Sequence, residues 1–184
     1  MLVVPEREQL PVADARAGDA EAWKTLFRRY QLPLYVYVFE LLRNEQTSLD
    51  LVQETFISAF RHIASLREDG KFGGWLFSIA HQQCIQQWRR LGHEAELREE
   101  LSPEPEAGSP GPLDILLREE QEAEFMKLLE KLPLPQRSAL LLHYIEDFSL
   151  EEIACITETQ VGTVKSRLHY ARRALRKLLE EERT

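Results

Sequence analysis

The sequence predicts an all-α protein: two small helical domains joined by an acidic Pro/Gly-rich linker, the second domain containing a helix-turn-helix. Three observations carry that prediction. Apolar residues recur at three- and four-residue steps through the segments on either side of residues 93–112. Residues 101–112 hold four prolines and two glycines among twelve, a composition that neither propagates a helix nor pairs as a strand. Ser149 followed three residues later by Glu152 is a capping box, in which hydroxyl and carboxylate each satisfy a backbone N–H left free by a first helical turn. The resulting division is 12–92, 93–112 and 113–184.

The first domain reads as about four helices. The first is expected over residues 14–30, with Trp23, Leu26, Phe27 and Tyr30 on one side, and the second over about 34–43, after Pro33. A third begins at Thr47 or Ser48, where Asp50 completes a cap, and presents Leu49, Val52, Phe56, Ala59 or Phe60, and Ile63 at helical spacing. With those residues inward, Asp50, Gln53 and Glu54 cluster on the exposed side. The fourth, 72–90, turns Trp75, Leu76, Ile79, Ala80 and Ile85 or Trp88 inward.

Beyond the linker, residues 113–132 form an amphipathic helix ended by Pro133 and Pro135, and residues 136–145 form another. The helix-turn-helix follows. Ile153, Ala154 and Ile156 are the apolar face of its first helix, and Val161, Val164, Leu168, Ala171, Leu175 and Leu178 that of its second. Ala154, a turn four positions on, and Val164 ten positions after the alanine is the internal arrangement of a DNA-binding unit: the alanine lets the helices approach and the valine plugs the angle between them.

Charge agrees once its distribution is counted. The net charge of −8 is an average over unlike parts. Residues 1–92 hold 11 basic and 11 acidic side chains, residues 93–124 hold 2 and 11, and residues 125–184 hold 10 and 9. The acidity sits in the middle, and surface fields are screened over roughly 10 Å. Between Gln160 and Lys177 there are six basic residues and no acidic one, so the second helix of the pair faces a polyanion.

Other classes find little support. No secretory signal opens the chain, and the longest near-apolar run, residues 32–42, contains Glu40 and is too short to span a bilayer; a soluble, cytoplasmic protein with no membrane insertion is expected. Cys84 and Cys155 stand far apart with no partner at ligand spacing, so both are expected as buried thiols with neither disulfide nor metal site. There is no glycine-rich phosphate loop and no nucleophile beside a base, so neither a catalytic residue nor a cofactor is expected.

The residues also carry a resemblance. GTVKSRL followed by HYARRAL is similar to the C-terminal DNA-reading domain of the extracytoplasmic-function (ECF) sigma factors, the small promoter-specificity subunits of bacterial RNA polymerase, and LPLPQRSALLLHYIEDFSLEEIA resembles the same domain. DLVQETF resembles the family's polymerase-binding helix, and GWLFSIA its minus-10 helix, with Arg89 and Arg90 as the basic end. Both domains match in the expected order.

The resemblance implies sites. Asp50, Gln53 and Glu54 would dock on a basic coiled coil of core RNA polymerase, where charge-assisted hydrogen bonds to arginine favour acidic residues. Lys71, Gln82, Gln86, Arg89 and Arg90 would meet the minus-10 element of promoter DNA, a glycine-flanked loop over residues 65–71 holding an extruded base. Lys165, Ser166, His169 and Tyr170 would read the minus-35 element, with Arg167 and Arg172 or Arg173 on phosphate. An anti-sigma factor is the implied regulatory partner. Four positions depart from the family pattern: Glu158 replaces a turn glycine, Thr159 an apolar residue, Gln82 an asparagine and Gln86 an aspartate. The alternative is a stand-alone helix-turn-helix repressor or activator, for which the Asp50, Gln53, Glu54 cluster would be incidental.

Overall fold

The structure, a computed structural model, describes residues 10–92 and 126–182. The linker and most of the helix expected over 113–132 lie outside the described residues. Every regular element described is helical: α1 (Val12–Arg16), α2 (Ala20–Leu42), α3 (Glu45–His62) and α4 (Phe72–Arg90), then α5 (Leu134–Glu146), α6 (Leu150–Ile156) and α7 (Val161–Glu182). Two single 3-10 turns, Ile63–Ser65 and Asp69–Lys71, connect α3 to α4, and residues 126–130 are helical ahead of α5.

Local chemistry sets the boundaries. The helix expected over 14–30 is divided at Gly18, whose φ of 94° lies in the left-handed region, and α2 restarts on Asp19, whose carboxylate accepts from the Glu21 and Ala22 amides. Pro33 does not separate two helices as expected; α2 runs through it. An interior proline costs about 3 kcal/mol. Tyr30 and Leu26 before it, and Leu34, Tyr37 and Leu41 after it, are all buried, each side chain contributing roughly 1.5–3 kcal/mol, so packing on both sides outweighs the break. The third helix starts earlier than expected, because Asn44 rather than a later residue is the cap, accepting from the Thr47 amide at 2.8 Å. Similarly α5 starts at Leu134, with Pro135 inside its first turn, where no amide donor is needed.

Helices α2, α3 and α4 pack around Leu26, Leu34, Val38, Leu76, Phe77 and Ala80. Gly73 is required at the α2–α4 crossing, since a Cβ there would stand 2.7 Å from the Tyr30 hydroxyl. In the second half, Leu128, Leu129, Leu140, Leu142, Ile153, Val164, Leu168 and Leu175 are buried together. The two halves share one continuous core: Tyr37 and Phe77 reach α5 and Phe148, whose ring meets Phe77 edge-on with centroids 5.3 Å apart.

Two burial expectations are corrected. Leu49 and Phe60 are 48% and 61% exposed, because the inward stripe of α3 is taken by Ser48, Val52, Thr55, Phe56 and Ala59. Cys155 is exposed, lying on the outer side of a short helix whose buried residues are Ile153, Ala154 and Ile156; Cys84 is buried as expected.

Candidate functional site

Asp50, Gln53 and Glu54 stand together on the exposed side of α3, with Asp50 accepting a 3.0 Å hydrogen bond from Gln46. Beside them lies an open groove of about 1060 Å3 between α2 and α3, lined by Trp23, Phe27, Leu32, Leu49, Ile57 and Phe60 among others, with Gln53 on its edge. Sequence reasoning missed this groove. The available signal was the excess of apolar positions in α3: Leu49, Leu51, Val52, Phe56, Ile57 and Phe60 span more of the helix than one buried stripe.

The loop before α4 is held from outside. Arg16 at the end of α1 donates to the Leu66 carbonyl at 3.0 Å and to the Asp69 carboxylate at 2.5 Å. Lys71 is exposed, and its pairing with Glu68 at 2.8 Å raises its pKa through that hydrogen bond and the carboxylate charge. Trp75 is half-buried against Phe72, consistent with a core role. Along α4, Gln82, Gln86, Arg89 and Arg90 are all exposed, at spacings that put the first three on one face.

The helix-turn-helix has the expected anatomy. Both bonds of the Ser149–Glu152 capping box form, at 3.2 and 2.8 Å, and Ala154 and Val164 are buried between the helices. Glu158 adopts φ 52°, the left-handed conformation that glycine takes at lower cost. Thr159 is tolerated in place of an apolar residue because its hydroxyl lies 3.0 Å from that of Thr157, which itself donates to the Ile153 carbonyl. On α7, Lys165 and Arg173 are exposed, while Ser166, His169 and Arg172 are half-buried. At 100° per residue Lys165, Ser166, His169 and Arg173 form the outer face, with Arg172 at its edge. Tyr170 and Arg167 turn the other way, into clefts beside the start of α5.

That second cleft joins the two halves. Its lining includes Gln82, Gln86 and Arg89 of α4, Leu134 and Ser138 of α5, Glu158 of the turn and Arg167 of α7. Gln82 donates through Nε2 to Glu158 at 2.5 Å. Beneath them the Tyr37 hydroxyl lies 2.8 Å from His81 Nδ1 and 2.8 Å from the Ser138 hydroxyl, all three residues buried. Burial, aided by the Arg167 charge, pushes the His81 imidazole down to about 4, so it is neutral at pH 7. At the far edge Arg29 donates twice to Glu146, at 3.0 and 2.8 Å. Burial opposes the Arg29 charge, but the bonds and attraction of Glu146 prevail and its pKa is raised. Burial, with the Glu146 charge, lifts neighbouring Tyr30 to about 12.

Among the described residues, no group of three or more His, Cys, Asp or Glu side chains is arranged to hold a metal ion, and no helix is long and apolar enough to cross a membrane.

Comparison with known proteins gives these features a context. The Sigma-70 region 2 family model matches residues 26–94, and the Sigma-70, region 4 model matches residues 122–181. The RNA polymerase sigma-H factor of Pseudomonas aeruginosa is 31% identical, the alignment covering 97% of each chain. The ECF RNA polymerase sigma factor SigW of Bacillus subtilis is 32% identical over 92% of this chain and 95% of its own. Among solved structures, the sigma factor RpoE of Bartonella quintana, determined in complex with the anti-sigma factor NepR, superposes with a TM-score of 0.63 at 28% identity, covering 85% of this chain and 98% of that one. CnrH, solved with the cytosolic domain of CnrY, shares the fold with a TM-score of 0.68 at 23% identity over 94% and 97% of the two chains. With helix-turn-helix, region 2 helices and relatives along nearly its whole length in agreement, the chain belongs to the ECF family of RNA polymerase sigma factors.

Proposed function

We propose that the chain binds core RNA polymerase through α3, recognises the minus-10 element with α4 and the loop before it, recognises the minus-35 element with α7, and so initiates transcription at selected promoters. Residues 12–92 form the polymerase-binding and minus-10 domain, residues 113–184 the minus-35 domain, and residues 93–112 the acidic linker. The protein contributes recognition and no chemistry of its own. It works in the cytoplasm, where polymerase and chromosome meet, and an anti-sigma factor controls it, as the pairing of the Bartonella relative with NepR suggests.

The observation that carries this reading is the α3 surface. Three polar side chains, two of them carboxylates, border an apolar groove, giving a partner both charge-assisted contacts and area to bury. On α7 the outer-face residues Lys165, Ser166, His169 and Arg173 suit a major groove, and the basic residues Arg167, Arg172 and Arg173 add attraction to phosphate. On α4, Gln82, Gln86, Arg89 and Arg90, with Lys71 nearby, offer amide hydrogen bonding and positive charge to a melted strand.

Co-purification with bacterial core polymerase tests the reading. The Asp50→Arg, Glu54→Arg double variant keeps its helical content, because both side chains are exposed, and loses polymerase. If wild type also fails to bind polymerase yet grips duplex DNA alone, the assignment gives way to a stand-alone helix-turn-helix regulator.

A further inference from the structure

The contact between the halves covers residues assigned above to promoter reading. We propose that this packed arrangement is a self-inhibited state, clasped by Arg29 on Glu146 and sealed by Glu158 over Gln82; its inhibitory role rests on the assignment of Gln82, Gln86 and Arg89 to the minus-10 element.

Promoter geometry requires the two halves to part. Elements centred near −10 and −35 are separated by about 25 base pairs, roughly 80–90 Å of duplex at 3.4 Å per pair. In the packed arrangement the helix-turn-helix turn touches α4 through a hydrogen bond of 2.5 Å. One promoter cannot be held at both elements by a protein closed in this way.

The contacts suit reversible closure. Glu158 keeps a left-handed backbone that glycine would adopt more easily, and the side chain that glycine lacks is the one that caps Gln82. The backbone strain is internal to the turn and equal in closed and open forms, so the hydrogen bond alone biases the equilibrium. Glu146 is only 5% exposed at its side chain, and removing its partner would leave a buried charge unpaired. Opening relieves that cost by rehydrating the carboxylate. Between clasp and seal, Tyr37, His81 and Ser138 join the halves through polar atoms that water can replace. A polar seam of this kind is typical of domains that separate.

Full-length protein carrying spin labels at Arg61→Cys and Glu181→Cys, with Cys155→Ser and the buried Cys84 retained, reports the distance between halves. Binding of a short fluorescein-labelled single strand of random sequence reports access to α4. Glu158→Gly is expected to raise the open-to-closed ratio about threefold, and Arg29→Glu tenfold or more. Adding Glu146→Arg to Arg29→Glu restores the wild-type distances, an outcome that a misfolded variant could not produce. Single-strand affinity rises in step with opening. Unchanged distances in both opening variants, at unchanged helical content, overturn the latch. Opening without tighter strand binding instead overturns the α4 assignment and, with it, the inhibitory role.

Discussion

Tyr37 on α2 and His81 on α4 meet with hydroxyl and Nδ1 2.8 Å apart, and Ser138 of α5 closes the same junction from the other half of the chain. An imidazole buried there tolerates no proton, and that sets how the molecule responds to acid.

Stability should fall as pH falls from about 6.5 toward 4. The folded His81 pKa lies below its ordinary value of 6.5, so the unfolded chain takes up the proton first, and the stabilisation present above 6.5 is lost by about pH 4. The full loss is roughly 3 kcal/mol. The groups around the ring are Tyr37 from α2, Cys84 on its own helix, Ser138 from α5 and Arg167 from α7. Glu40, raised mainly by burial, works in the opposite direction, since acid favours its folded form. Urea midpoints for wild type and His81→Leu separate the two: the variant should lose the decline between pH 7 and 5.5, and an unchanged slope would remove His81 as its source.

Gly73→Ala should cost about 1–3 kcal/mol, because the new methyl would stand 2.7 Å from the hydroxyl of a buried Tyr30. Adding Tyr30→Phe should recover part of the loss, since the nearest remaining ring atoms are 3.2 Å away. Thermal unfolding of the single and double variants checks the coupling.

Ser149→Ala should lower stability by about 1 kcal/mol, leaving the Glu152 amide without its acceptor while the Glu152 carboxylate keeps the Ser149 amide. The loss should appear as faster amide exchange in the first turn of α6 than in α7.

On DNA, Lys165→Ala and Arg173→Ala should behave differently. Loss of a base-reading cation removes roughly 1–3 kcal/mol of discrimination between the correct and an altered minus-35 element. Loss of a phosphate contact weakens binding to both sequences alike and lowers the salt slope by about 1. Holoenzyme binding to a matched pair of promoters at several salt concentrations distinguishes them; equal losses in discrimination would refute the division of tasks on α7.

Which parts of this were legible in the sequence follows from the range of the interactions. The capping box, the Ala154–Val164 pair and the left-handed turn at Glu158 are set by neighbours along the chain, and all three stand as read. Pro33 was misleading because its local penalty is outweighed by packing against helices far away in sequence. Leu49 and Phe60 carry the helical period but sit where the inward stripe is already full, so period alone could not exclude them. Residues Asp50, Gln53 and Glu54 were legible as an exposed cluster, whereas the groove beside them depends on α2 and was not. The meeting of Gln82 with Glu158 joins positions 76 residues apart, which no local pattern encodes.

The two cysteines differ in a way that makes the protein its own clock. Cys84 is sealed inside α4, where burial pushes its thiol up to about 12, so it stays protonated and unreactive at neutral pH. Cys155 stands in solvent. An alkylating reagent therefore adds one mass increment to each intact molecule at once and a second only when the first half of the chain comes apart, so mass spectrometry over time counts unfolding events without any engineered probe.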